Sequence, residues 1–390
     1  MKKVLFHSLT IPPDNVSTGM LVGEIAAGFK KQNVEVEVLA STPQYNVLNN
    51  EFTTITKINK NYSESEYKNV RIVHINSKKK SHKEGKRIFQ WAHFHYYSLL
   101  FLYKSRNDYE QIFIFSYPPT MNIVSLFVKK VLKLKVNYSV WELYPEIASE
   151  LKLFNLPILI SIFKKLDTYS MKNTDNLIVN SPELKEYLID KRKLSNKNIN
   201  VITHFSPYEI SSKLPNLQLK KMFYAGNLGK PQNLEKFIQT MLDNNIDWML
   251  DIYGAGTEYE KIKDYENDNI TLNSHISRQE LITNVSDLPV AVVSLDSRIT
   301  VEGFPGKTFD YLSMNKILLS VSNKDSAVAQ FINKHNLGIN IELDSKKSFL
   351  DAFEKLASLE YLKQTISNIK KVNENQISKS KIINDYFELL

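Results

Sequence analysis

The chain has 390 residues, too many for one ordinary domain and about right for two, and its 43% hydrophobic content excludes wholesale disorder. The absence of cysteine excludes disulfides, cysteine-ligated zinc, iron–sulfur clusters and thiol nucleophiles. The net charge of +8 comes from 44 lysines and only six arginines. An excess of lysine over arginine favours anionic phosphates or an acidic membrane surface as the binding partner, rather than nucleic acid. An AT-rich genome would give the same excess of lysine.

The first half alternates strand and helix signals. The run from Val4 to Leu9 predicts a strand over 2–9 and is too short for a secretory leader, and no stretch reaches the ~18 apolar residues of a membrane span. We therefore expect a cytoplasmic protein that is not integral to a membrane. Further strands are predicted at 34–39, 70–75 (after a polar loop), 111–116, 135–141, 177–179 and 201–202, with helices near 18–32, up to 103, up to 132 and through most of 145–173.

The second half repeats the pattern more regularly. Strands are predicted at 221–226, 248–253, 270–275, 289–295, 317–322 and 338–342, with helices between them. Strands separated by helices predict parallel sheets, hence an α/β fold of two Rossmann-like domains facing a central cleft. The expected domains are 1–205, a polar linker at 206–218, 219–376, and a final segment at 377–390. Chemistry is expected in the loops after the strands.

The segment after the strand at 289–295 predicts an anion site. Pro305 and Gly306 stand where a helix would begin, and Lys307 falls in its first turn, where the helix dipole and the ammonium act together. Glu302 precedes this helix and Asp310 lies one turn beyond Lys307. This arrangement would suit a bound diphosphate whose attached sugar or ribose donates hydroxyl hydrogen bonds to the two carboxylates. A capped helix with a surface lysine explains the segment equally well.

Two further glycine turns follow strands of the same half. Gly226, Asn227 and Lys230 form a strand–glycine–lysine–helix pattern of the kind that cradles phosphate. Gly254 and Gly256 end the next strand, without the third glycine of a dinucleotide-binding fingerprint. Three such turns after strands of one domain favour a phosphate-binding edge.

These residues resemble the retaining glycosyltransferases of family 4, which have the GT-B architecture, over nearly the whole chain. The similarity is greatest to members that build bacterial capsule, O-antigen and exopolysaccharide. Glu302 and Asp310 have the spacing of the family's paired glutamates. The resemblance implies that Glu302 lies near the donor sugar, Asp310 holds the nucleotide ribose and Lys307 holds the diphosphate. Pro305, Gly306 and Thr308 would lie beside the diphosphate with the glycine turns.

The first half carries the resemblance too. The loop from Ile11 to Gly19 is similar to the family's donor-facing loop, and Trp141 to Glu146 resembles an acidic–Leu–Trp–Pro–Glu motif, with Glu142 as its first carboxylate on the acceptor side. Residues 377–390 are similar to a C-terminal helix that crosses back to the N-terminal domain. The family usually has arginine where Asn227 stands, and often lysine where Gln232 stands. These departures leave a second function open, a partner subunit with little catalysis.

No cofactor and no metal are expected, because the Asp-x-Asp motif of the other large glycosyltransferase fold is absent. His7 and His204 stand at strand ends, where a structural role is favoured over catalysis. The basic run from Lys78 to Arg87 precedes an aromatic helix and predicts contact with the inner face of the membrane, whereas most aromatics of that helix are expected to pack on the sheet. The sequence thus predicts a metal-independent transferase that moves a sugar from a nucleoside diphosphate, preferably UDP, to a saccharide acceptor on a surface-polysaccharide precursor, which the resemblance suggests is lipid-linked.

Overall fold

A computed structural model describes residues 3–44, 54–77, 84–150, 157–195, 197–208, 213–299 and 303–390, except for the side chains of 84–87. The described residues form two compact units. Unit 1 lies within Met1–Ser149, Phe154–Pro207 and Lys379–Leu390, and unit 2 within Glu150–Leu153 and Tyr208–Ser378. Of the predicted linker, residues 209–212 lie outside the described residues.

Unit 1 is built on a sheet of nine described strands in the order β3-β4-β5-β2-β1-β6-β7-β8-β9. Its strands are β1 (Lys3–His7), β2 (Val36–Ser41), β3 (Thr56–Lys57), β4 (Tyr62–Tyr67), β5 (Val70–Ile75), β6 (Tyr109–Phe115), β7 (Lys135–Val140), β8 (Asn176–Val179) and β9 (Ile199–Val201). Its helices are α1 (Ser17–Lys31), α2 (Glu84–Lys104), α3 (Met121–Phe127), α4 (Glu146–Glu150, ending in unit 2), α5 (Pro157–Asn173) and α6 (Pro182–Arg192). A π-helical turn, Val128–Leu132, continues α3.

Unit 2 has a parallel sheet of six described strands in the order β12-β11-β10-β13-β14-β15. Its strands are β10 (Lys221–Asn227), β11 (Met249–Ala255), β12 (Ile270–Asn273), β13 (Val290–Ser294), β14 (Ile317–Val321) and β15 (Gly338–Ile341). Its helices are α7 (Leu234–Asp243), α8 (Tyr259–Lys263), α9 (Arg278–Asn284), α10 (Lys307–Ser313), α11 (Ala327–His335), α12 (Lys346–Leu356) and α13 (Leu359–Asn375). The predicted α/β class with parallel sheets is confirmed.

The last helix, α14 (Lys379–Phe387), belongs to unit 1 and packs on α1. Phe29 of α1 meets Phe387 edge to face, and the buried carboxylate of Glu24 accepts a hydrogen bond from Lys379. Tyr67 and Lys68 donate to the same carboxylate, and the bonds from Lys379, Lys68 and Tyr67 hold the pKa of Glu24 below its usual value although burial acts in the opposite direction. A buried anion with three donors thus fastens α14 to the first helix of the chain.

The prediction of a polar loop before β5 was wrong. The segment contains β3 and β4, which form an antiparallel hairpin at one end of the sheet. The sequence of β4, Tyr-Ser-Glu-Ser-Glu-Tyr, has no apolar alternation. Its inward side chains instead form hydrogen bonds, as between Ser65 Oγ and His74 Nε2 at 2.7 Å. A strand stabilised by polar contacts at a sheet edge lacks the hydrophobic period that reveals most strands.

Candidate functional site

The strand order of unit 2 reverses beside β10, the first strand of its sheet. The chain runs from β10 outward to β11 and β12, and then continues on the other side with β13, β14 and β15. In open parallel sheets, ligands bind at the carboxyl ends of the strands where such a reversal occurs. Here β10 pairs with β13 only at Met222 and Phe223, so the two strands are no longer paired from Tyr224 onward.

The hydroxyl of Tyr311, from α10, fills the place where β13 leaves β10. It accepts a hydrogen bond from the Ala225 N–H at 2.9 Å and donates one to the Ala225 carbonyl at 3.0 Å. Tyr311 is buried and meets Phe223 edge to face. These contacts fix α10 against the carboxyl end of β10, and the helix begins at Lys307, as predicted.

Lys307 lies over the glycine turn that ends β10. Its Nζ is 3.9 Å from the centroid of the Tyr224 ring, and a Cβ at Gly226 would lie 2.8 Å from the same nitrogen. Gly226 has a φ of 141°, a conformation that side chains rarely adopt. The Tyr224 hydroxyl donates to the Asn227 carbonyl at 2.7 Å, which holds the turn. The backbone conformation therefore favours glycine here, and the ammonium of Lys307 lies against the space that a side chain would enter.

Gly254 and Gly256 have a packing role in the structure. A Cβ at Gly254 would lie 2.0 Å from the Gly226 carbonyl oxygen, and one at Gly256 would lie 2.1 Å from the Leu228 carbonyl oxygen. The loop after β10 thus rests directly on β11, and the Leu228 N–H donates to the Ala255 carbonyl at 2.9 Å. Nucleotide binding by these two glycines stays a prediction.

The loop after β10 carries three polar side chains, those of Asn227, Lys230 and Gln232. Asn227 Nδ2 donates to Gln232 Oε1 at 3.0 Å, so these two side-chain amides are bonded to each other. Lys230 is exposed at the start of a 3₁₀ turn, Lys230–Gln232. That turn is fastened to the end of β13, because Ser294 Oγ donates to the Gln232 carbonyl at 2.6 Å.

Asp310 forms an ion pair that the sequence analysis missed. Its Oδ2 lies 2.6 Å from Nη2 of Arg278, the first residue of α9, and Arg278 stacks over the Tyr208 ring at 4.4 Å. Ser277 and Glu280 form a capping box, whose Ser-x-x-Glu pattern could have placed the start of α9. The pairing with Asp310, 32 residues away, has no local signal in the sequence.

The other predicted residues of unit 2 lie around the start of α10. The Pro305 carbonyl accepts from the Thr308 N–H at 2.9 Å, Gly306 precedes the helix, and the side chain of Thr308 is buried. Glu302, the predicted contact of the donor sugar, lies outside the described residues.

In unit 1, Gly19 lies in the first turn of α1 against the loop that follows β1. A Cβ at Gly19 would lie 3.1 Å from the Ile11 nitrogen and from the Thr10 carbonyl carbon, so the helix and the loop touch. Glu142 is exposed directly after β7. The structure places both residues at the carboxyl edge of the unit 1 sheet.

Three buried histidines of unit 1 are held neutral. Burial lowers the pKa of His7 to about 4, that of His95 to about 4 and that of His204 to about 3. His7 Nδ1 donates to the Leu39 carbonyl at 2.9 Å, and its ring stacks on Phe94 of α2. His204 meets Trp141 edge to face at 4.7 Å. These contacts are those of packed structural histidines.

Within the described ranges, no group of three or more histidine, aspartate or glutamate side chains is arranged to hold a metal ion. None of the described helices is both long enough and apolar enough to span a bilayer.

Solved structures with a similar fold cover the whole chain. A sucrose-phosphate synthase from Thermosynechococcus elongatus matches with a TM-score of 0.76 at 12% identity, over 100% of this chain and 98% of that chain. The catalytic domain of starch synthase IV from Arabidopsis thaliana, bound to ADP and acarbose, matches with a TM-score of 0.70 at 11% identity, over 100% and 98%. The lipopolysaccharide outer core galactosyltransferase WaaB matches with a TM-score of 0.65 at 14% identity, over 100% of both chains.

By sequence, neither a protein-family model nor a curated protein matches the chain. The structural likeness shows the fold, which is the GT-B architecture of glycosyltransferases.

Proposed function

We propose that the protein is a glycosyltransferase that takes a sugar from a nucleoside diphosphate. The observation that carries the proposal is the position of Lys307, whose ammonium lies over the Gly226 turn where β10 and β13 part. A cation over a glycine turn at a strand-order reversal suits a diphosphate. The fold supports the proposal, since a starch synthase and a lipopolysaccharide galactosyltransferase share it.

The chemistry proposed for this edge is positioning and charge stabilisation. The bond from the anomeric carbon to the diphosphate oxygen breaks, the acceptor hydroxyl oxygen bonds to that carbon, and the hydroxyl proton leaves with the nucleoside diphosphate. Charge grows on the diphosphate during this step, so Lys307 stabilises the transition state more than the ground state. Lys230 would add a second, exposed cation. The resemblance assigns Glu302 to the donor sugar, Glu142 to the acceptor side, and retention of configuration to the reaction.

Asp310 can serve the ribose while it stays paired. A carboxylate has two oxygens with about four acceptor positions. Arg278 contacts Oδ2, and a ribose hydroxyl would donate to another acceptor position of the same carboxylate. Arg278 would then orient the carboxylate for the nucleotide.

Thermal shift with a panel of UDP-, GDP- and ADP-sugars tests the proposal directly. A donor at 100 times its Kd should stabilise the protein by ~2.7 kcal/mol. The best donor, expected to be a UDP-sugar, is then assayed for hydrolysis or transfer in EDTA, since metal-independent turnover is proposed. Stabilisation by no nucleotide sugar would contradict nucleotide-sugar binding.

A partner subunit with little catalysis is the second candidate. The observation that favours it is the neutral Asn227–Gln232 pair at the position of the family's cations. A partner subunit should show nucleotide binding without turnover, together with co-purification of an active glycosyltransferase. Turnover by the isolated chain would exclude it.

Surface-polysaccharide synthesis on a lipid-linked acceptor is the proposed context, with the basic run Lys78–Arg87 contacting anionic lipid. Changing Lys78, Lys79, Lys80 and Lys83 to glutamine should weaken binding to anionic vesicles with little change in Tm. Binding that is insensitive to both salt and these changes would rule out an electrostatic role for the run.

A further inference from the structure

The sheet of unit 2 has an edge strand on each side, β12 and β15, and the backbones of the two are covered to different extents. At β12, the Ile270 N–H donates to the Asn267 carbonyl at 3.2 Å, and the Asn267 N–H donates back to the Ile270 carbonyl at 3.1 Å. The Leu272 N–H donates to Glu266 Oε1 at 3.0 Å. Residues just before β12 therefore cover its edge, which is a common way to protect an edge strand.

The backbone of β15 is open at its outer side. The carbonyls of Leu337 and Ile341 face β14, because they accept N–H groups from that side at 3.1 and 3.3 Å. Backbone groups alternate in direction along a strand, so those of Gly338 and Asn340 face away from β14. The Tyr361 hydroxyl donates to the Gly338 carbonyl at 2.9 Å. Among the residues that the structure describes, none forms a hydrogen bond with the backbone N–H or carbonyl of Asn340.

A cavity of about 520 Å³ lies along this open edge, and we call it the β15 groove. Residues from the end of α11, from α12 and from the start of α13 form its walls, and Gly338, Ile339 and Asn340 line it between them. One residue of a strand occupies ~160 Å³, given a rise of ~3.3 Å, a strand spacing of ~4.8 Å and a layer spacing of ~10 Å. The groove therefore has room for about three residues of one further strand.

The α12 wall of the groove carries three charged side chains in the order Lys347, Asp351 and Lys355. All three are exposed, and successive members are four residues apart, which is about 6.0 Å along the helix axis. In an extended strand, every second side chain lies on the same face, about 6.6 Å apart. Because the two spacings nearly agree, a strand in the groove sets one side chain opposite each charge. The lining side chains at the end of α11 are the neutral amides of Asn333 and Asn336.

We propose that the β15 groove binds an extended peptide segment of a partner protein, which adds a strand to the sheet of unit 2. The segment carries an acidic, a basic and a second acidic residue at every other position, opposite Lys347, Asp351 and Lys355. A second folded copy of the chain fits less well, since the helices beside its own sheet edge would meet α11 and α12. A saccharide would leave the alternating backbone of β15 without a matching partner. The proposal does not depend on the proposed catalytic activity.

Pairing through the backbone is tested with the peptide acetyl-Thr-Glu-Thr-Lys-Thr-Glu-Thr-amide as probe. Its binding to the full chain is followed by an NMR titration of the peptide resonances, and we expect a Kd below about 1 mM. Only alternate residues of a strand point their N–H groups at a given neighbour, so N-methylation of one alternate set of residues should abolish binding. N-methylation of the other set should leave binding nearly unchanged. The sensitive set reports the direction in which the peptide runs along β15.

The charge pattern is tested by reversing it. The triple change Lys347→Glu, Asp351→Lys and Lys355→Glu should weaken binding of the probe by at least about tenfold, because three exposed charge pairs become repulsive. The charge-reversed peptide acetyl-Thr-Lys-Thr-Glu-Thr-Lys-Thr-amide should bind this variant with the affinity of the original pair. The matched control is Lys371→Glu, at an exposed lysine of α13 outside the groove, which changes the net charge by the same amount and should bind the probe like wild type.

Three outcomes would overturn the proposal. One is a wild-type protein that does not bind the probe at up to about 1 mM, whether or not it binds maltoheptaose as a saccharide control. Another is binding that both N-methylated peptides lose or retain equally. The third is equal affinity of the probe for the wild type and the charge-reversed variant. A UDP-sugar thermal shift on the same samples reports on the proposed activity separately, since α12 carries none of the candidate nucleotide-site residues.

Discussion

The strand order reverses beside the first strand of the sheet in both units, but the two units differ in how far the strands at the reversal stay paired. In unit 1, β1 lies between β2 and β6, and it stays paired with β6 as far as His7, which lies opposite Ile114. In unit 2, β10 lies between β11 and β13 but is paired with β13 only at Met222 and Phe223. The buried, neutral His7 lies at the end of the strand pair that stays together in unit 1. Gly226 and Lys307 lie where the strand pair separates in unit 2.

The comparison shows that the same topology places different side chains at the two sheet edges. Both sheets place strand ends together, but only the edge of unit 2 combines a parted strand pair, a glycine with a φ of 141° and an ammonium over that glycine. In unit 1 the equivalent edge is occupied by His7, stacked on Phe94. The following experiments test whether each edge behaves as its side chains indicate.

The largest expected effect is that of Lys307→Ala on turnover. Loss of one preorganised donor that acts on developing charge should lower kcat by roughly 10²–10³-fold and weaken UDP binding. Lys307→Arg should rescue poorly, because a planar fork does not reproduce a compact ammonium over Gly226. The Tm without ligand should change little. Lys324→Ala, at an exposed lysine of the same unit, is the control, and wild-type turnover in Lys307→Ala would remove Lys307 from the site.

Acid should destabilise unit 1 through His7. Its pKa is about 4 in the folded state and 6.5 ordinarily, so between these values the unfolded chain binds more protons. Stability is therefore lost as the pH falls from about 6.5 to 4, by up to about 3 kcal/mol for His7. Urea unfolding monitored by tryptophan fluorescence in a Trp248→Phe background, which leaves only the tryptophans of unit 1, measures this slope.

The matched variant for this slope is His7→Gln, which keeps a donor for the Leu39 carbonyl and does not titrate. The variant should reduce the change in the free energy of unfolding of unit 1 between pH 6.5 and 4. It should not abolish that change, since His95 and His204 also have lowered pKa values. An unchanged slope would show that His7 is protonated in the folded state at these pH values.

Tyr311→Phe should destabilise unit 2. The hydroxyl satisfies both the N–H and the carbonyl of Ala225, and its removal leaves two buried backbone groups without these bonds. The expected cost is about 2 kcal/mol, measured by urea unfolding. Tyr361→Phe is the control, because the Tyr361 hydroxyl donates to the half-buried Gly338 carbonyl at the edge strand and its removal should cost less. Equal costs would mean that the Ala225 bonds add nothing to unit 2 stability.

The smallest expected effect is a gain from Asn227→Arg. The Asn227 amide lies over Gly229, where a Cβ would be 2.7 Å from Nδ2, and is bonded only at the surface to Gln232. A cation at this turn should tighten UDP binding by about fivefold or less, the range of an exposed charge pair. Asn269→Arg adds the same charge before β12, at the amino edge of the sheet, and should not change affinity. Unchanged UDP affinity in Asn227→Arg would indicate that the phosphates do not lie at this turn.

Strands buried on both faces were predictable from sequence. The predicted 221–226 and 317–322 correspond to Lys221–Asn227 and Ile317–Val321, because continuous apolar runs between glycine and polar turns give a strong local signal. The start of α10 at Lys307 was also predictable, from Pro305 and Gly306. The β3–β4 hairpin was not, since its strands are stabilised by polar side chains.

Contacts between distant residues explain the rest. A Gly-x-Gly pattern such as that of Gly254 and Gly256 looks the same in the sequence whether the glycines contact a phosphate or a backbone carbonyl. Only the fold shows that the carbonyls of Gly226 and Leu228 lie close to them. Arg278 reaches Asp310 through the packing of two separate helices. The buried Asp167–Arg192 ion pair likewise joins two separate helices, α5 and α6, which no periodicity reveals.

The docking of α14 has a consequence for biosynthesis. The hydrophobic core of unit 1 includes Ile382, Ile383 and Tyr386 together with Phe6 and Phe113. A ribosome makes the first strands of that core long before these three side chains, and it makes the strands of unit 2 in between. During translation, the core of unit 1 stays incomplete and partly exposed until α14 is made, whereas unit 2 can already fold. A released chain that ends at residue 378 should therefore have a protease-resistant unit 2 and a unit 1 that is open to chaperones.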